Sequence, residues 1–229
     1  GPTRPRSSPI IWSASGEAAD DLAHPFAMNA GVTFERVYLA LKEQLGDGRF
    51  AAGQHLEPAL LAQDLNVSIT PVRDALHRLA GEGLVDTPRG EGFRTPAVTE
   101  LGLRQLYRWN QALLALTTRL GANAPRAGLS ELASGDHVER TGRLFLTIAA
   151  LAGNVEATAS LGALNDRLRP ARRAELRVLP GPEPYLEDIA AALAEANLPV
   201  VRRTLAAYHR ERERAVDRIV AALHATGEG

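Results

Sequence analysis

Cysteine is absent from the 229 residues, which removes disulfide scaffolds, thiolate metal sites and thiol nucleophiles together and suits a reducing cytoplasmic setting. A net positive charge is missing as well. The formal charge is −1, from 26 cations, 27 carboxylates and neutral histidines, so no bulk field draws the chain to nucleic acid, and any such contact needs a locally placed basic set. Lys42 is the only lysine, every other cation being arginine. The guanidinium fork suits bidentate contacts, although such a bias has genomic origins too. Long apolar runs are also lacking. Leu144 to Val155 is the longest uncharged one and is too short to span a bilayer, while Thr3 to Gly16 has too brief an apolar core for a signal peptide. The expectation is a soluble cytoplasmic protein without a membrane partner. What is present is apolar: 45% hydrophobic content can bury a core in one large domain or two small ones.

Residues 1–31 mix Pro, Ser, Gly and Ala without a sustained period and read as a flexible arm. From Thr33 the pattern is regular. Val37, Leu41 and Leu45 share one helical face before Gly46-Asp47-Gly48 stops the run. After the turn "RFAAGQHLEP", a short second helix from Pro58 to Leu65 carries Leu60, Leu61 and Leu65 and ends at Asn66. A third helix opens at Thr70, a good N-cap, with Pro71 suited to the first turn, and Val72, Leu76 and Leu79 form its apolar stripe. Then "LVDTPRGEGFRTPAV" reads as two extended pieces around a glycine-rich loop, Pro88 to Gly92. Three helices and a hairpin predict a winged helix-turn-helix over residues 32–97. Beyond it, residues 98–229 read as all-helical, with segments Leu101–Leu120, Val138–Ala152, Val155–Leu168, Tyr185–Ala196 and Pro199–Leu223. The fold class is therefore mainly α, a winged module followed by a helical-bundle ligand and dimerisation domain.

An amphipathic helix buries one face and leaves the other free. On the third helix that free face carries Thr70, Arg73, Asp74 and His77, with Ser68 and Ile69 just before. Hydroxyls at a helix start suit phosphate oxygens, and Arg73, one turn inside, is placed for a guanine edge in the major groove. The wing adds Arg89 beside Gly90 and Gly92, whose lack of a side chain permits close approach to a backbone or minor groove. The plain alternative is a solvated face. Arg73, Arg78, Arg89 and Arg94 are cancelled by Asp74, Glu82, Asp86 and Glu91, so charge alone does not favour DNA.

The stretch "GQHLEPALLAQDLNVSITPVRDALHRLAGEGLV", followed by the wing "TPRGEGFRTP", resembles the winged helix-turn-helix of GntR-type transcription regulators. The likeness runs from Val37 to Val98. It implies that Ser68, Thr70 and Arg73 face DNA and that Gly92 lies at the wing tip. In the family an arginine usually stands between the serine and the threonine, where this chain has Ile69. That departure removes a charge-assisted contact and leaves an apolar group able to touch a thymine methyl.

The helical half resembles the FCD-type domain of the FadR branch of these regulators, through helix order and the piece "LFLTIAALAGN". Most such domains hold a divalent metal on an Asp and three His, which in turn binds a carboxylate effector. Matched piece by piece, those positions fall on Thr141, Phe145, Tyr185-Leu186 and Tyr208-His209, and no histidine lies between His137 and His209. Three imidazoles cannot converge from a segment that lacks them, so no metal and no cofactor are expected. Asp136-His137 and His209 could offer one or two ligands at most. Two readings stay open for the degenerate site. An apolar or amphipathic effector sits among Leu114, Phe145, Leu186 and Tyr208, oriented by Arg108, Asn110, Tyr208 or His209; or these side chains fill a core and the domain only dimerises. The basic run Arg167 to Arg177 reads as a solvated helix end and loop.

No carboxylate pair, Ser/His/Asp set or phosphate-cradling loop appears, Gly90-Glu91-Gly92 being too short for one. An enzyme is not expected. The expected function is a DNA-binding regulator, a repressor, acting as a homodimer on a palindromic operator in double-stranded DNA and answering to a small effector. The alternative is a winged module used for protein contacts.

Overall fold

Pro25 opens the first helix, α1 (Pro25–Gly46), and the computed structural model describes residues 25–121 and 135–225. The helix starts well before Thr33 and takes in residues 25–31, which the sequence reading assigned to the arm. Once nucleated by the regular run from Thr33, helix propagates at little cost through residues with no breaker before Gly31, and the fixed φ of Pro25 suits a first turn. The rest of the expected arm lies outside the described residues.

Within the winged module α1 is followed by β1 (His55–Leu56), α2 (Pro58–Asp64), α3 (Ile69–Gly81) and β2 (Phe93–Arg94). β1 was not foreseen; two residues are too short a run to show alternation, and their stretch reads as a turn. β1 and β2 pair antiparallel, His55 opposite Arg94 and Leu56 opposite Phe93. On its other side Arg94 exchanges backbone hydrogen bonds with Asp86, at 2.7 and 2.9 Å. The wing is thus a strand end held from both sides. Val37, Leu41, Leu56, Leu61, Val72, Leu76, Leu79 and Phe93 close one core, each large aliphatic side chain contributing about 1.5–3 kcal/mol by its burial. Leu60 of the expected stripe on α2 faces solvent.

The second half contains α4 (Glu100–Leu120), α5 (His137–Ala150), α6 (Val155–Glu175), α7 (Glu183–Ala194), α8 (Leu198–Arg214) and α9 (Val216–His224). α6 touches α1, α4, α5 and α9 and so links both halves. It does not stop near Leu168: the basic run continues the helix through Pro170, not a helix end and loop. An internal proline costs a hydrogen bond and about 3 kcal/mol. Leu164, Leu168, Ala171, Arg172 and Glu175, all buried on one side of α6, offset it. The expected long last helix is broken at Ala215, which is fully buried with φ −102° and ψ 7°. The inward face runs on across the break, Arg212 of α8 and Val216 and Ile219 of α9 being spaced i, i+4, i+7 and all buried.

That interior is partly ionic. Arg212 and Glu175, with side chains 1% and 4% exposed, pair at 3.0 Å. Tyr107 donates to the second Glu175 oxygen at 2.6 Å, and the Arg212 guanidinium lies 3.6 Å from the Tyr208 ring centroid. Three helices, α4, α6 and α8, therefore meet on one carboxylate.

Candidate nucleic-acid interface

Asn66 ends α2 in the left-handed region at φ 51°, which asparagine tolerates better than most residues. The Val67 N–H then closes the turn on the Ala62 carbonyl at 3.0 Å. This fixes the entry into α3. Its N-cap is Ser68, extended at φ −73° and ψ 163°, two residues before Thr70. Pro71 consequently falls third in the helix, where an N–H would have no intrahelical acceptor and its loss costs nothing. The Ser68 hydroxyl makes no capping bond. Ser68, Ile69, Thr70, Arg73 and His77 are all exposed, Ile69 at 45%, while Val72, Ala75, Leu76 and Leu79 are buried on the opposite side. The structure brings the expected α3 residues onto one open face.

The wing stands beside that face. Gly90 and Gly92 have φ of 78° and 74°, and Arg89, Gly90 and Gly92 are exposed. A Cβ added at Gly92 would lie 3.1 Å from His55 Nε2, and the same nitrogen is 3.1 Å from the Glu91 carbonyl oxygen. Glycine at 92 is therefore required both by its backbone and by the ring beneath it. The sequence reading missed His55. It also assigned His77 to DNA alone, whereas the His77 ring meets Phe93 edge-on at 4.9 Å and thereby ties α3 to β2.

The charges do not cancel in space as they do in the sequence. Arg78 is held by Glu35 at 3.1 Å and Glu82 at 3.4 Å, its guanidinium 3.8 Å from the Tyr38 centroid. Arg94 pairs with Glu91 at 2.8 Å. Among the described residues neither Arg73 nor Arg89 has an ion-pair partner, so these two guanidinium groups remain available at the face.

In the helical half, Asn110, Leu114, Phe145, Leu186, Tyr208 and His209 do come together, each 0–3% exposed. They touch one another: Phe145 meets Tyr208 and His209 with centroids 5.6 and 5.9 Å apart, and His209 Nε2 is 2.9 Å from the Asn110 amide. This is a packed core. Arg108 does not belong to it. Its side chain is 65% exposed and pairs with Glu213 at 2.9 Å, because its position on α4 turns outward while Tyr107 and Asn110 turn in. Thr141 bonds back to the His137 carbonyl, and His137 Nε2 lies 3.0 Å from the Arg172 carbonyl. Asp136 caps α5 and pairs with Arg173. Among the described residues no three His, Asp or Glu side chains converge as a metal set.

Burial pushes His209 down to about 3, helped by the nearby Arg172 and Arg212 and opposed by the bond to Leu205. The ring is thus neutral, donating from Nδ1 to the Leu205 carbonyl at 2.7 Å and leaving Nε2 as an acceptor. An Asn110 oxygen there would oppose two acceptors and leave Asn110 Nδ2 buried without a partner. Turning over the near-isosteric amide resolves both. The folded pKa lies below the usual value of about 6.5, so this contribution to stability is complete above that pH and is lost as pH falls toward 3. The expected slope is about 1.4 kcal/mol per pH unit in that window. His209→Gln should lose less stability than the parent between pH 7 and 5 in urea titrations; parallel losses would contradict the neutral buried ring.

Residues 33–94 match the family model "Bacterial regulatory proteins, gntR family". The chain is 39% identical over 71 residues to the HTH-type transcriptional regulator McbR of Escherichia coli K12, spanning 31% of each chain. It is 26% identical over 137 residues to the Nta operon transcriptional regulator of Aminobacter aminovorans, spanning 54% of this chain and 65% of that one. The chain thus aligns with less than two thirds of either relative. The solved structure of E. coli McbR/YncC shares the fold with a TM-score of 0.64 at 24% identity, over 81% of this chain and 97% of its own. A putative transcriptional regulator GntR from Rhodococcus sp. RHA1 does so with a TM-score of 0.67 at 19% identity and the same coverage. Residues 33–94 are thus a winged module of the gntR-family type, and along its length the chain is similar to bacterial transcriptional regulators.

Proposed function

We propose that this chain is a sequence-specific DNA-binding transcription regulator that acts as a homodimer on a palindromic operator and is controlled by a small effector. The observation that carries the reading is the open α3 face, where Ser68, Ile69, Thr70 and Arg73, without an ion-pair partner among the described residues, stand beside the glycine-tipped wing. Phosphate contacts from the helix start and wing would set the register, and Arg73 would read a base edge. Occupying an operator needs no further surface to block transcription, so repression is the proposed output. Pairing of two copies is supported by α4, which exposes Leu101, Trp109, Leu116 and Leu120 at 48–66% along one side; such a stripe is disfavoured in water unless covered. Two-fold symmetry then calls for two related half-sites. An effector would shift the dimer between DNA-competent and incompetent arrangements, which requires different affinities for the two.

Selection of genomic fragments by the purified protein at moderate salt tests this. The expected result is an enriched inverted repeat; no enriched site would favour a protein-contact role for the winged module. On the recovered operator, Ile69→Arg is expected to tighten binding and steepen its salt dependence by about two units of slope, roughly one for the added phosphate contact of each subunit. Unchanged affinity across a salt series would sink that assignment.

A further inference from the structure

One opening lies not in the helical core but between the two halves. A cavity of about 480 Å³ lies between the end of α1, the stretch leading into α4, and α6. That size is within the range of roughly 300–1,000 Å³ typical of small-molecule sites. Its apolar wall includes Phe50, Val98, Leu106 and Trp109. Its lining also holds five cationic side chains against two carboxylates. At its edge the Asp47 carboxylate, in the turn after α1, is gripped by Arg169 at 2.9 Å and Arg173 at 2.6 Å, both from α6. The Nε atoms of Arg169 and Arg173 are buried and have no hydrogen-bond partner among the described residues, so the grip on Asp47 leaves donors unused. Gly46 allows the approach: a Cβ there would lie 2.5 Å from Arg169 Cδ.

A carboxylate already seated between two arginines whose Nε donors are unused, beside an apolar chamber, is the arrangement that would take a carboxylate head group next to an apolar tail. We propose that the cleft binds a small amphipathic carboxylate, whose head group takes the place of Asp47 between Arg169 and Arg173 and whose apolar part lies along Trp109 and Phe50. This rests on the proposed control by an effector and moves the site from the filled helical core to the junction. Because Asp47 belongs to the DNA-reading module and the arginines to the helical half, binding unties a strap between them. The effector then acts on the orientation of the winged module directly, without passing through the core around Tyr208.

The probe is octanoate, with octan-1-ol as its uncharged counterpart, titrated into the full chain without DNA. Calorimetry gives affinity, and a Trp12→Phe background leaves Trp109 as the only tryptophan for fluorescence. Expected are saturable one-to-one binding with a change in Trp109 emission, and weakening by about tenfold or more for octan-1-ol and for Arg169→Gln/Arg173→Gln, from loss of the charge-assisted pair. Asp47→Asn, which removes the internal competitor, should tighten octanoate binding several-fold, and Asp47→Ser should do the same if the amide itself perturbs the turn. No saturable binding to the parent or to the Asp47 variants, equal binding of the alcohol, or Asp47 variants that bind no tighter would each overturn the proposal. Since these titrations contain no DNA, failure to recover an operator would leave them standing, and a protein that binds its operator but no carboxylate would refute the cleft alone.

Discussion

Replacing Arg73 with alanine is expected to collapse the discrimination between operator and scrambled duplex while leaving the fold intact. Arg73 is exposed, makes no ion pair among the described residues, and projects from a helix whose opposite face is completely buried. Its loss therefore removes nothing from the core. A bidentate arginine contact to guanine is worth about 1–3 kcal/mol of discrimination, and a homodimer would lose two, about 2–6 kcal/mol in total. That is a large part of the roughly 4–10 kcal/mol separating specific from non-specific binding. Fluorescence anisotropy with both duplexes at matched salt measures the ratio. The control is Arg78→Ala, which strips a cation from Glu35, Glu82 and Tyr38 and should act on stability instead. A retained operator preference in Arg73→Ala would remove this residue from the reading face.

The second large effect is on stability. Glu175→Ala is expected to cost about 3–5 kcal/mol in urea unfolding at neutral pH, because it removes the buried carboxylate of Arg212 and leaves only the partly exposed Glu211, 2.9 Å away. Tyr107 loses its acceptor as well. Both partners sit behind an almost fully closed surface, so water cannot replace what is lost. Replacing the pair together, by Glu175→Leu with Arg212→Leu, should recover much of the loss, since apolar substitutes of similar volume avoid the desolvation of either charge. A single variant costing less than about 1 kcal/mol would mean that the pair is solvated and would contradict the geometry.

Much of the winged module was legible because its signals are local. The Val72, Leu76, Leu79 stripe, the left-handed Asn66 and the glycine loop each act within a few residues, and the structure bears out α3 and its exposed face. The start of α3 was displaced because Ser68 and Thr70 are equally good caps and Pro71 is accepted throughout the first turn, so it does not decide between them. In the helical half the segments were readable, but their partners were not. Pro170 is a breaker by local rule and is overruled by burial on both sides of it. Glu175 and Arg212 look like surface charges until α4, α6 and α8 converge. Arg108 was grouped with Asn110 by the match to the family, although two residues on a helix are about 200° apart and point to different sides of α4. Asp47 and Arg169 stand 122 residues apart, a separation at which no periodicity carries information.

Lys42 was first met as a curiosity of composition. In the fold it bonds Asp166 of α6 at 2.6 Å and Glu82, just after α3, at 3.3 Å. Burial alone would lower its pKa, but bonds to Asp166 and Tyr38 and the charges of Asp166 and Glu82 outweigh that and raise it. Acylating reagents attack only the unprotonated amine, so this one lysine is masked while the two halves are fastened together. The rate at which its side chain is labelled thus reports how often the bonds of Lys42 to Asp166 and Glu82 open, at one position singled out by the scarcity of a residue type.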